Sequence, residues 1–214
     1  MNLNKLKLLL LALLLALHGH AAAGTDPEAL LKAVQAGADA KHIAALIKQG
    51  ADVNQADTEG RTPLMFAAHQ GDVAVIKLLL DQGANANVKL REMPLLMLVA
   101  MNSTPEIARL LVDKGADVNA RGLNGATVLM MAAAGGNAKT ISFLLDRGAQ
   151  IDTPGPDGIT ALMMAADQDK PEVVQLLLQR GANRNAKAAS GVTALDFAKK
   201  KNHPEIVRLL EVKS

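Results

Sequence analysis

The side chains of this 214-residue chain that could do chemistry are above all its nine methionines. Met65, Met130-Met131 and Met163-Met164 return at matched spacing, and Met97 falls among them. Thioethers favour Cu(I), and they also take up oxidant reversibly as sulfoxides. A copper site needs three sulfurs converging on one ion, and an oxidant sink needs accessible sulfur, so both depend on how the methionines are placed. Other groups are sparse. His42, His69 and His203 are far apart and lack partners at zinc-ligand spacing, and the chain has no cysteine. Ser103, Ser142, Ser190 and Ser214 stand in no nucleophile-elbow sequence. Asn124-Gly125 and Asp157-Gly158 read as turns, and Asp167 with Asp169 as a solvated rim and a turn. We find no catalytic constellation and expect no enzyme activity, metal or cofactor.

The elements that carry these residues repeat. Gly-Ala recurs at Gly50, Gly83, Gly115, Gly148 and Gly181, at intervals of 33, 32, 33 and 33 residues. A unit of that size cannot bury its own apolar face and must stack on neighbours, which predicts a solenoid counted as one elongated domain. Within a unit, Thr62 to Gln70 and Val73 to Gln82 are spaced for two short antiparallel helices, the second with Val73, Ile76, Leu79 and Leu80 on one face. Between them the chain must turn through a left-handed residue, and the aligned occupants are Gly71, Asn102, Gly136, Asp169 and Asn202. Second helices open with Asp72, Ser103 or Asn137 at the cap, or with Pro105, Pro171 or Pro204 in the first turn. They close at the glycine of Gly-Ala.

The phased text Thr62-Pro63-Leu64-Met65-Phe66-Ala67, with its copies from Thr127, Thr160 and Thr193, resembles the ankyrin repeat, whose unit of about 33 residues carries Thr-Pro-Leu-His-x-Ala. The resemblance runs from about Thr25 to Glu211. It implies an all-α ankyrin-repeat solenoid of about six helix-turn-helix units with projecting β-turn loops, here 25–56, 57–88, 89–120, 121–153, 154–186 and 187–214. One column departs from the family. Met65, Leu96, Met130, Met163 and Asp196 stand where histidine is usual, followed by Phe66, Met97, Met131, Met164 and Phe197. We therefore expect apolar packing between units, with Met97, Met131 and Met164 as core. Equivalent residues of stacked helices lie roughly 10 Å apart, too far to share one ion.

The N-terminus differs from the rest. Lys5 and Lys7 precede ten apolar residues from Leu8 to Leu17, and Ala21-Ala22-Ala23 offers a small-x-small cleavage site. Residues 1–23 read as a secretory signal peptide, because the apolar run falls short of the roughly 20 residues that span a bilayer. We expect a periplasmic location, a mature 24–214 ankyrin-repeat domain with no membrane insertion after signal cleavage, and a monomer. Export without any cysteine fits a bacterial periplasm better than a disulfide-rich secreted class. Losing Lys5 and Lys7 lowers the basic count from 23 to 21, level with the 21 acids. With no charge excess and only three phenylalanines as aromatics, nucleic acid is not an expected partner.

Function is then expected on the surface. The resemblance implies that another protein docks on the loop tips and on the exposed face of the first helices. The tips map to Thr58, Glu59 and Arg61, to Lys89, Leu90 and Glu92, to Leu123 and Asn124, and to Asp157 beside Pro156 and Ile159. The first-helix pairs are His69-Gln70, Ala100-Met101, Ala134-Gly135, Asp167-Gln168 and Lys200-Lys201. Their middle is small or apolar, which suits a partner's apolar anchor at the third and fourth units. The third unit has lost the turn glycine and threonine, and its tip, with Leu90, is the expected specificity element. The resemblance also implies an alternative role, that of an accessory factor in peroxide-stress protection.

Overall fold

The computed structural model describes residues 26–102 and 104–211. The signal peptide expected at 1–23 lies outside them, as does Ser103. Twelve α-helices among the described residues form six antiparallel pairs. They are α1 (Ala29–Gln35) with α2 (Ala40–Lys48), α3 (Pro63–Gln70) with α4 (Val73–Asp81), α5 (Leu95–Met101) with α6 (Pro105–Asp113), α7 (Val128–Gly135) with α8 (Ala138–Asp146), α9 (Ala161–Asp167) with α10 (Pro171–Gln179), and α11 (Ala194–Lys201) with α12 (Pro204–Glu211). Apolar faces of successive pairs merge into one core, in which Leu64, Ile76, Leu96, Ile107, Leu129 and Leu144 are fully buried. No pair could bury these residues alone, so stacking is the source of stability.

Local chemistry sets the helix ends. The side chains of Asp72 and Asn137 accept from the backbone N–H groups of Val75 and Thr140, satisfying donors that the helix leaves open. Gly50, Gly83, Gly115, Gly148 and Gly181 sit at positive φ, between 87° and 97°, just past a helix C-terminus. The loops that follow interlock. Asn54 Nδ2 donates to Gly83 O (3.1 Å) while its Oδ1 accepts from Asn85 N (2.8 Å). Asn87 and Asn119 repeat the same two-way clamp one and two units on. Asp152 stands next in line and can only accept, from Asn183 N at 2.9 Å. On the second-helix side, Lys114–Asp81, Arg147–Asp113 and Arg180–Asp146 pair across successive units at 2.6, 2.5 and 2.8 Å.

The third unit corrects the sequence register. In its neighbours the hairpin closes around three loop residues, as where Asp57 N donates to Arg61 O across Thr58, Glu59 and Gly60. In the third, β1 (Lys89–Leu90) pairs with β2 (Met93–Pro94) across only Arg91 and Glu92. That missing residue is the short interval of 32. Both loop residues take left-handed φ, 48° and 65°, the demand of a two-residue turn that follows the strand twist. Everything after the deletion shifts by one. Met97, rather than Leu96, shares the column of Met65, Met130 and Met163. Asn102 is right-handed at φ −88°, because it stands where Gln70 stands, one place before the turn. The N-cap of α6 is Thr104. Ala100, expected on the open face, is fully buried. Gly71, Gly136, Asp169 and Asn202 do adopt the left-handed conformation.

Candidate protein-binding groove

First helices of successive units pack through one face spaced i, i+3, i+4, i+7. On α7, α9 and α11 the i and i+4 positions toward the preceding unit are mostly small, Val128 and Ala132, Ala161 and Ala165, Ala194 and Ala198, with Gly135 added at i+7 on α7, while Met131, Met164 and Phe197 stand at i+3. On α5 the same face reads Leu95, Leu98, Val99 and Asn102, with no small residue anywhere. The consequence is geometric. The backbones of α5 and α7, α7 and α9, and α9 and α11 come close together, whereas those of α3 and α5 stay apart. Gly135 marks the opposite extreme, since a Cβ there would stand 2.2 Å from the carbonyl oxygen of Met101.

The hairpins act in the same sense. The buried methionines Met97 and Met130 reach under the next unit's hairpin. A Cβ on Gly155 would lie 2.7 Å from the Met130 sulfur, and one on Gly122 would lie 3.4 Å from that of Met97. At the corresponding place above Met65 stands Leu90. A leucine where the fourth and fifth units carry Gly122 and Gly155 puts a bulky side chain between the third hairpin and α3.

What remains between α3 and α5 is a groove of about 580 Å³. Its floor is Met65, Ala68, Leu95 and Val99, with Phe66, Leu90 and Leu98 as walls. One edge is Arg61. Its guanidinium lies 5.2 Å from the centre of the Phe66 ring and is tied down by Asp57 (2.7 Å) and Glu59 (3.2 Å). Burial works to raise the Asp57 carboxyl, but the backbone and side-chain hydrogen bonds from Arg61 outweigh it and hold the group below its ordinary 3.8. The other edge is His69, Asn102 and Thr104. Gln70 lies there too, although its Nε2 donates to Val34 O and Gln35 O of the preceding unit.

Of the residues singled out in the sequence, Arg61, His69, Gln70 and Leu90 converge on this groove. Thr58, Glu59, Lys89 and Glu92 crown the tips beside it; Glu59 pairs with Arg61, and Lys89 with Glu92 at 4.0 Å. Leu123, Asn124, Asp157, Asp167, Gln168 and Met101 do not line it. Leu123 is the most exposed large apolar side chain described, at 77%. The room expected above Gly135 for an anchor is taken by the Met101 main chain, so the apolar opening lies one junction earlier than expected. Met65, Met97, Met130 and Met163 are buried; Met131 and Met164, expected as core, are only half-buried. Phe66, Leu95, Leu98 and Val99 were not singled out. Only Val99 carried a signal, a valine in a column of alanines (Ala67, Ala132, Ala165 and Ala198), and that comparison required the corrected register.

The stacked helix pairs, glycine-closed second helices and interlocking loops agree with a family comparison in which the model for "Ankyrin repeats (3 copies)" matches residues 2–90, 87–155 and 150–213. The chain belongs to the ankyrin-repeat family. Among ankyrin-repeat structures, the crystal structure of an ankyrin-repeat protein superposes with a TM-score of 0.81 at 30% identity, covering 89% of this chain and all of that one. The ankyrin-repeat domain of Bcl-3, described as a unique member of the IkappaB protein family, gives 0.77 at 31% identity, with 87% and 85% covered. In sequence, Zygote-specific protein 3 of Chlamydomonas reinhardtii is 36% identical over 107 residues, 50% of this chain. The chain spans only 29% of that curated relative. Ankyrin repeats are non-catalytic modules that bind other proteins.

Proposed function

We propose that this protein is a non-catalytic binding module of the periplasm, exported by residues 1–23, whose partner protein docks on the concave side with its contact centred on the groove between α3 and α5. The observation that carries this reading is the bulky α5 face, which leaves an apolar opening where the other first helices close. A concave, mostly apolar opening with a few polar groups at its edges is the usual form of a binding site. Polar tips around an apolar centre are the usual anatomy of a protein interface. Export is supported by the basic, apolar and small-residue order of the first 23 residues. In the alternative role in peroxide protection, direct uptake of oxidant would fall to Met93, Met101, Met131 and Met164, because Met65, Met97, Met130 and Met163 are buried.

Photocrosslinking in intact cells tests this reading. A photoreactive residue in place of His69, at the groove mouth, is expected to capture one protein from the periplasmic fraction. The same residue at Lys77, on a second helix, is expected to capture none of it. Equal capture at both positions, or a chain found only in the cytoplasm with Met1 intact, would overturn it.

A further inference from the structure

We infer that the groove selects an uncharged apolar segment of its partner, and that three residues of the third unit, Leu90, Leu95 and Val99, set this specificity by holding the junction open. The inference rests on the proposed binding function and names the chemistry of the ligand.

The argument for an uncharged occupant is electrostatic. Only Arg61 and His69 among the lining residues are ionisable. Arg61 is bound by two carboxylates of its own hairpin and lies over the Phe66 ring, so an incoming carboxylate would have to displace Asp57 and Glu59. An incoming ammonium would meet no open carboxylate, since those two acids are engaged with Arg61. Burying either charge against Met65, Phe66, Leu95 and Leu98 would cost its hydration without return. An aliphatic or aromatic side chain loses nothing of that kind and covers the half-buried walls, Phe66, Leu90 and Leu98. His69, Asn102 and Thr104 along the far edge supply hydrogen bonds to the main chain that carries the anchor.

The argument for the three residues is comparative. The fourth unit carries Gly122, Val128 and Ala132 at the places of Leu90, Leu95 and Val99, and its first helix closes on the unit before it. Transplanting those residues, as Leu90→Gly, Leu95→Val and Val99→Ala together, removes the wedge and lets α5 move toward α3.

The test selects a library of random twelve-residue peptides on the purified chain and measures the recovered peptides against variants. The expected selection fixes one or two Leu, Ile, Met or Phe positions with no charged consensus. The triple variant is expected to fold and to lose affinity by at least about tenfold, a difference of roughly 1.4 kcal/mol. Val99→Ala alone is expected to weaken binding in the same direction, and Leu123→Asp to leave it within about twofold. An acidic or basic consensus overturns the inference while the binding function stands. Equal affinity for parent, Val99→Ala and the triple variant does the same. If the chain yields no peptide, and photocrosslinking at His69 also captures no protein, the binding function itself falls. Concentration-dependent self-association that Leu123→Asp abolishes would make the occupant a second copy and overturn the inference.

Discussion

The junction between α3 and α5 and the one between α5 and α7 are built on the same plan. Both are clamped on the loop side by an asparagine, Asn54 for the first and Asn87 for the second, and tied on the second-helix side by an ion pair, Lys114–Asp81 and Arg147–Asp113. They differ in the volume of side chains that one helix turns toward its predecessor. Gly135 lets α7 touch the main chain of α5, while Leu95 and Val99 keep α5 from α3. In a repeat array each interface contributes its own term, so a recognition site can be made by relaxing one interface while the others keep the fold.

The sharpest way to break this contrast is to add the same volume to both junctions. Gly135→Leu must displace the Met101 carbonyl, and is expected to destabilise by about 3 kcal/mol or more through overpacking and backbone shift. Ala68→Leu, which points into the open groove, is expected to change stability by less than about 1 kcal/mol. Paired thermal unfolding curves decide it, and similar losses for the two would mean that the junctions are equally packed.

Smaller effects concern the loops. Arg91 and Glu92 hold left-handed conformations that cost non-glycine residues about 1 kcal/mol or more each. Replacing them with Asn-Gly, the pair suited to a two-residue turn, is expected to stabilise the chain by about 1 to 2 kcal/mol. The peptide-binding groove should be unchanged. Chemical denaturation of the double variant provides the check; no gain would show that the short loop is unstrained.

Least in size is the effect of completing the asparagine series. Asp152→Asn gives Gly181 O a donor like those that serve Gly83, Gly115 and Gly148, and should add about 0.5 to 1 kcal/mol. Asn119→Asp should subtract a similar amount at a junction that is already closed. If both substitutions are neutral in denaturation, the two-way clamp contributes little to stacking.

The fold was legible because its punctuation is chemical. Gly-Ala pairs, capping residues and helix-opening prolines placed both helices of the second unit within a residue of their observed bounds, and the left-handed turn residues held in four of five units. The third unit was misread for a physical reason. From Leu95 to Met101 every side chain is apolar, so no polar residue fixes the helical phase. A one-residue loss in the hairpin then went unregistered, which moved Leu96 into the methionine column and Asn102 into the turn. The groove was hidden by the same slip, since it is visible only when Val99 is set beside Ala67, Ala132, Ala165 and Ala198. Arg61, His69 and Leu90 were found nonetheless, because tip and rim positions tolerate an error of one.

Packed second helices and separated first helices make the third unit's boundary a one-sided joint. Bending there would pivot about α4 and α6, with the first two units as one lever and the remaining four as the other. The breadth of the opening and the curvature of the whole array are then a single mechanical variable. A partner seated in the wedge would stiffen the superhelix along its length, and a load applied to the far units would pinch or spread the seat.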